Sequence, residues 1–198
     1  MREDMSLERD VMWLFWSEEG LEHLKLVWDG ASILADGVVV GVEEGVPFRT
    51  RYELRCDARW RTREVVASAL VRDGREIRLL ADGEGRWIMA NGEPVPALDG
   101  CIDVDISATP FTNTLPIRRL GLELGEATNL KVAYLAVPEM RVEPAQQRYT
   151  CLERDDQGGL YRYESLDGEF AGFTADLPVD ADGLVLDYPG LFRRARLG

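Results

Sequence analysis

The sequence predicts an all-β protein, a closed or rolled antiparallel sheet of many short strands with one or two short helices. Three observations predict it. Turn-forming dipeptides recur at roughly ten-residue intervals, apolar and polar residues alternate between them, and helical periodicity is nearly absent.

The turn signals are Asp29-Gly30, Asp36-Gly37, Asp73-Gly74, Asp82-Gly83, Asn91-Gly92, Asp99-Gly100, Gly158-Gly159, Asp167-Gly168 and Asp182-Gly183. Asp-Gly and Asn-Gly suit hairpin turns because these residues tolerate the positive φ such turns need. Between the turns, Phe48, Thr50, Tyr52 and Leu54 alternate with Arg49, Arg51, Glu53 and Arg55. Ile102, Val104 and Ile106 alternate in the same way with Asp103, Asp105 and Ser107, and Leu160 to Glu164 reads as another strand. Many short strands at hairpin spacing favour a sheet that rolls up and so removes its edges. One helical turn or more is expected over Pro116 to Leu124, since Pro suits the first helical position, although Gly121 and Gly125 weaken it. Pro94-Val95-Pro96 reads as a loop, and a chain of 198 residues without a linker is expected to form one domain, residues 1–198.

Composition narrows the partners. A formal net charge of -13, with 36 acidic against 23 basic side chains and no basic stripe, disfavours nucleic acid and anionic membrane surfaces. No stretch is long and apolar enough to span a bilayer, and Met1 to Asp10 does not resemble an export signal. Cys56, Cys101 and Cys151 are odd in number and far apart, which suits reduced, buried thiols and a cytoplasmic location. With His23 as the sole histidine and no paired cysteines, no metal site is expected. No phosphate loop or dinucleotide fingerprint is present, Gly83-Glu84-Gly85 being better read as a turn, so no cofactor is expected.

The most distinctive stretch runs from Cys101 to Leu120, CIDVDISATPFTNTLPIRRL. It resembles the hallmark segment of a bacterial glycolipid-binding family, formerly a domain of unknown function. Other matching features are Gly20-Leu21-Glu22-His23 with Trp28-Asp29-Gly30, the run Arg51-Tyr52-Glu53-Leu54, Asp57 with Trp60, and Gly85-Arg86-Trp87. Towards the end come Gln147-Arg148-Tyr149-Thr150 and Gly183-Leu184-Val185 followed by Asp187-Tyr188-Pro189. The resemblance covers nearly the whole chain. It implies a spiral β-roll similar to the lipoprotein carriers that hold acyl chains in an apolar hollow, and an amphiphilic partner, lipid or glycolipid.

Trp13, Trp28, Trp60 and Trp87, with Trp16, are candidates to line such a hollow, because aromatic faces pack on acyl chains and sugar rings. The ordinary alternative is that they fill a β-core. Asn113, Arg118 and Arg119 are candidates to meet a polar headgroup through phosphate or sugar oxygens. Asp103 and Asp105 fall on one strand face with Cα atoms ~6.7 Å apart. Two such carboxylates could serve a hydrolase of lipid-linked sugars. They could also bind a hard cation with Asn113. The plainer reading is that they take backbone N–H groups from the Thr109–Pro116 loop and pair with Arg118 or Arg119. His23 has no clear Ser or Cys partner and reads as a partly buried strand residue. Three functions therefore compete: an amphiphile carrier without chemistry, a hydrolase using Asp103 and Asp105, and an interaction protein with a filled core.

Overall fold

The structure, a computed structural model, describes residues 7–16, 19–71 and 74–196. Seven successive strands form an antiparallel meander: β1 (Leu7–Phe15), β2 (Gly20–Trp28), β3 (Ser32–Glu43), β4 (Val46–Asp57), β5 (Thr62–Ala69), β6 (Glu76–Ala81) and β7 (Trp87–Met89). A 3-10 turn over Pro96–Leu98 follows, and the chain crosses to a second sheet through β8 (Asp103–Ile106). A second 3-10 turn over Phe111–Asn113 runs into helix α1 (Thr114–Leu120). The second sheet continues with β9 (Ala127–Ala136), β10 (Arg141–Asp155), β11 (Gly158–Ser165) and β12 (Thr174–Asp180). Finally β13 (Asp187–Tyr188) and β14 (Phe192–Arg194) return to the first sheet.

The first sheet has nine strands in the order β13-β14-β1-β2-β3-β4-β5-β6-β7, and the second has five, β12-β11-β10-β9-β8. Neither closes into a barrel. The last described strand, β14, pairs with β1, Trp13 opposite Arg194 and Phe15 opposite Phe192, so the first and last strands lie side by side. Pairing is antiparallel as expected, except that β8 runs parallel to β9, with Asp103 opposite Val132 and Ile106 opposite Leu135. A parallel pair needs a long connection. Here the hallmark loop and α1 supply it.

Alternation sorts the side chains as expected in β4, where Thr50, Tyr52, Leu54 and Cys56 are buried and the arginines between them face water. One contiguous core takes Trp13, Leu24, Val65, Leu79 and Trp87 from the first sheet, Val132, Tyr149 and Leu177 from the second, and Phe111 and Leu115 from the crossover. Every one of these is at most 2% exposed, which fits the close packing of protein interiors.

Three expectations need correcting. Asp36-Gly37 is no turn: both residues lie inside β3, with Gly37 opposite Tyr52. A Cβ on Gly37 would stand 2.2 Å from the Tyr52 ring, so this glycine makes room rather than bending the chain. Asp36 meanwhile takes the Arg51 guanidinium at 2.8 Å on the outer face. Gly158-Gly159 opens β11, and the turn lies just before it, where Asp155 Oδ1 accepts the Gln157 and Gly158 amides. The helix begins at Thr114 rather than Pro116 and ends at Leu120, because Gly121 takes a left-handed φ of 58° and donates its N–H to the Ile117 carbonyl. Asp73 lies outside the described residues.

Candidate functional site

In an antiparallel meander the turns leaving even-numbered strands gather at one end. Here the turns after β2, β4 and β6 do so, and α1 lies against them through Arg118 and Arg119. Together they form an open cleft of about 570 Å³ lined by Trp28, Trp60, Arg59, Arg61, Arg118 and Arg119, with Gly83 and Glu84 of the β6–β7 turn and Ile102 before β8. This size falls within the usual range for small-molecule sites.

Asp57 at the end of β4 builds the wall that carries Trp60. Its Oδ1 accepts the amides of Arg59 at 2.9 Å and Arg61 at 3.2 Å, and its Oδ2 accepts Arg61 Nε at 2.8 Å. The Asp57 carbonyl also accepts the Trp60 amide at 2.9 Å. Burial raises the Asp57 pKa, but the Arg61 and Arg59 amides and the Arg61 guanidinium outweigh it and hold the carboxyl below its ordinary value. The turn forces Trp60 to φ 63°, a left-handed conformation that costs a bulky residue of order 1–3 kcal/mol. Such strain gathers at working sites.

Trp28 meets Trp60 edge-on, with ring centroids 5.7 Å apart. The Arg118 guanidinium lies over both rings, 5.2 Å from the Trp28 centroid and 5.4 Å from that of Trp60. The Arg118 stem is fixed too: a Cβ on Gly183, at φ 79°, would come within 3.0 Å of Arg118 Cδ. The buried indole N–H of Trp28 has no acceptor.

Beneath the cleft, the hallmark segment works as a strap between the sheets. Arg119 grips the fully buried Asp103 through Nε–Oδ1 at 2.9 Å and Nη2–Oδ2 at 2.5 Å. Asp105 accepts Thr112 Oγ1 at 3.0 Å and Gln147 Nε2 at 2.6 Å. Its partners are thus side chains, not the backbone N–H groups expected from the loop. Burial raises both carboxyl pKa values, opposed by Arg119 at Asp103 and by Gln147 and Thr112 at Asp105. Asn113 accepts the Tyr149 hydroxyl at 2.7 Å and donates to the Pro110 carbonyl, deep in the core and away from the cleft. On the other side, Thr109 Oγ1 donates to Glu22 Oε1 at 2.8 Å, which also accepts the Tyr52 hydroxyl at 2.5 Å.

Residues 10–194 match the family described as Putative glycolipid-binding. This chain belongs to that family. Among solved structures, a crystal structure at 1.80 Å resolution of a DUF1089 family protein from Pseudomonas aeruginosa is 41% identical, with a TM-score of 0.79 over 89% of this chain and 92% of that one. No curated protein matches. Among the described residues, no helix is long and apolar enough to cross a membrane.

In this member of the family, four of the expected site residues meet at the cleft: Trp28, Trp60, Arg118 and Arg119. Trp13 and Trp87 instead lie in the core, their indole N–H groups donating to the Val185 and Cys101 carbonyls at 2.8 Å each. Trp16 sits at the far end of β1, half-exposed, against Arg193. His23 is on a strand as expected but faces outward, 2.9 Å from Asp10. The three cysteines are buried free thiols.

Glu22 is the residue that sequence reasoning missed. It is fully buried, its Oε2 has no partner, and burial pushes its pKa up to about 8 against the Tyr52 and Thr109 hydrogen bonds. Its signal was parity: Glu22 shares a strand face with Leu24 and Leu26 in β2.

Proposed function

We propose that this chain binds a glycolipid or a related amphiphile without making or breaking a bond, with the polar head in the cleft and the first methylenes against Trp28, Trp60 and Ile102. The observation that carries this reading is the Trp28–Trp60–Arg118 stack. It sets the partly exposed Trp28 ring, a surface for sugar rings and alkyl groups, beside a guanidinium for headgroup oxygens, with buried Trp60 behind them. Membership of the family supports it as well. The alternative hydrolase draws no support from Asp103 and Asp105, because Asp103 is fully buried and bound to Arg119, and half-buried Asp105 is bound to Thr112 and Gln147.

The test is a titration of intrinsic fluorescence with alkyl glucosides of increasing chain length. Each methylene moved out of water contributes about 0.8 kcal/mol, so affinity should rise about fourfold per carbon until the surface is covered. Trp28→Ala should abolish the rise. A flat response at every chain length would remove the proposal.

A further inference from the structure

We propose that the headgroup this cleft takes is a tetrahedral oxyanion of the phosphate type, with Arg118 as its principal ligand. The inference rests on the reading of the cleft as the amphiphile site.

Four arginines line the cleft against a single carboxylate, Glu84, in a chain whose net charge is -13. Two of the four are already committed. Arg61 pairs with Asp57 at 2.8 Å and with Glu84, and Arg119 is locked on Asp103. Arg59 and Arg118 have no carboxylate partner among the described residues. Arg118 is nonetheless the best positioned of the four. Two indole rings hold its head and close packing at Gly183 holds its stem, yet ring contacts consume none of its five N–H donors. A guanidinium held in place without an acceptor is pre-organised for bidentate pairing with an oxyanion. Exposed Arg59 adds a second free cation at the rim.

A neutral sugar would satisfy hydroxyl-sized donors but leave two cations unneutralised. A phosphate offers several acceptor oxygens in different directions and cancels the charge. Two arginines without a carboxylate partner lie together in this cleft, which favours an anion in spite of the repulsion from the rest of a net-acidic surface.

The experiment compares decyl phosphate, decyl glucoside and inorganic phosphate by fluorescence titration of the full chain at low and at high salt. Decyl phosphate should bind about tenfold more tightly than decyl glucoside at low salt, as expected for hydrogen bonds to a charged group. The ratio should shrink as salt screens the pair. Arg118→Gln should bring the ratio close to one, Arg118→Lys should leave part of it, and Arg59→Gln, at an exposed position, should lower it in a folded protein. Equal affinities in the parent chain, or a ratio that survives Arg118→Gln, would overturn the oxyanion assignment while the amphiphile reading stands. Binding of neither alkyl ligand would overturn both. Inorganic phosphate binding as tightly as decyl phosphate would overturn the lipid source and keep the oxyanion site.

Discussion

Thr109 of the crossover loop donates its hydroxyl to Glu22 on β2 at 2.8 Å, tying the hallmark segment to the nine-stranded sheet. The same loop reaches the five-stranded sheet through Asn113 and Tyr149. Glu22 can hold this place because it keeps its proton, burial having raised its pKa from 4.5 to about 8. The sign of the pH effect follows. Between those two values the unfolded chain has lost a proton that the folded chain retains, so stability falls as pH rises, by about 1.4 kcal/mol per pH unit, and levels off above the folded value. Glu22→Gln, which cannot ionise and still accepts Tyr52 and Thr109, should unfold in more urea than the parent at pH 8 and differ little from it at pH 4.5. Parallel pH profiles for the two chains would show that Glu22 is ionised in the fold.

Asp103 and Asp105 should respond differently to the same change. Asp103→Asn leaves the Arg119 guanidinium, 19% exposed, without its counter-charge and should cost ~3–5 kcal/mol, towards the lower end because water reaches the arginine. Asp105 accepts from neutral donors, so Asp105→Asn disturbs hydrogen bonds but strands no charge and should cost ~1–2 kcal/mol. Denaturant midpoints measure both. A larger loss at Asp105 would mean that the ion pair is not the dominant tie.

The strand alternation was legible, and with it the fold class, because period-two burial is a local property of residues such as Thr50, Tyr52 and Leu54. What could not be read was which polar residues lie inside. The alternation of Ile102, Val104 and Ile106 with Asp103 and Asp105 looks like a half-solvated strand. Yet β8 is covered on both faces, since its polar side meets Arg119, Thr112 and Gln147 from distant segments. The tryptophans show the same limit. Trp28 and Trp60 border the cleft, whereas Trp13 and Trp87 are core residues whose N–H groups find carbonyls 172 and 14 residues away. Nothing in the local pattern distinguishes the two kinds.

Gly37→Ala tests the room that β3 leaves for Tyr52. The added methyl would stand 2.2 Å from the ring, so either the strand or the ring must move. Overpacking of this kind costs ~1–3 kcal/mol, and displacing Tyr52 also loosens its hydrogen bond to Glu22. In a double-mutant cycle with Tyr52→Leu the two losses should not add, because the variants share one contact. Strict additivity would place the strain elsewhere.

Asp57 offers the last test, since one carboxylate both shapes the turn and charges it. Asp57→Asn keeps an acceptor for the Arg59 and Arg61 amides but gives up the attraction to Arg61 at 2.8 Å and Arg63 at 3.8 Å. Asp57→Ala gives up both, so the left-handed φ of 63° at Trp60 loses its side-chain support and keeps only the backbone bond to the Asp57 carbonyl. The alanine variant should therefore shift the Trp60 signal in near-ultraviolet circular dichroism and weaken ligand binding at the cleft, while the asparagine variant keeps the signal and loses only stability. The folded pKa of Asp57 lies below its ordinary value of 3.8, so its contribution is present above that value and is lost as pH falls through the folded pKa. As the parent is acidified from pH 3.8 down through the folded pKa, its stability advantage over Asp57→Asn should accordingly fade. An advantage that persisted undiminished at the lowest pH would show that the carboxylate charge contributes nothing to the turn.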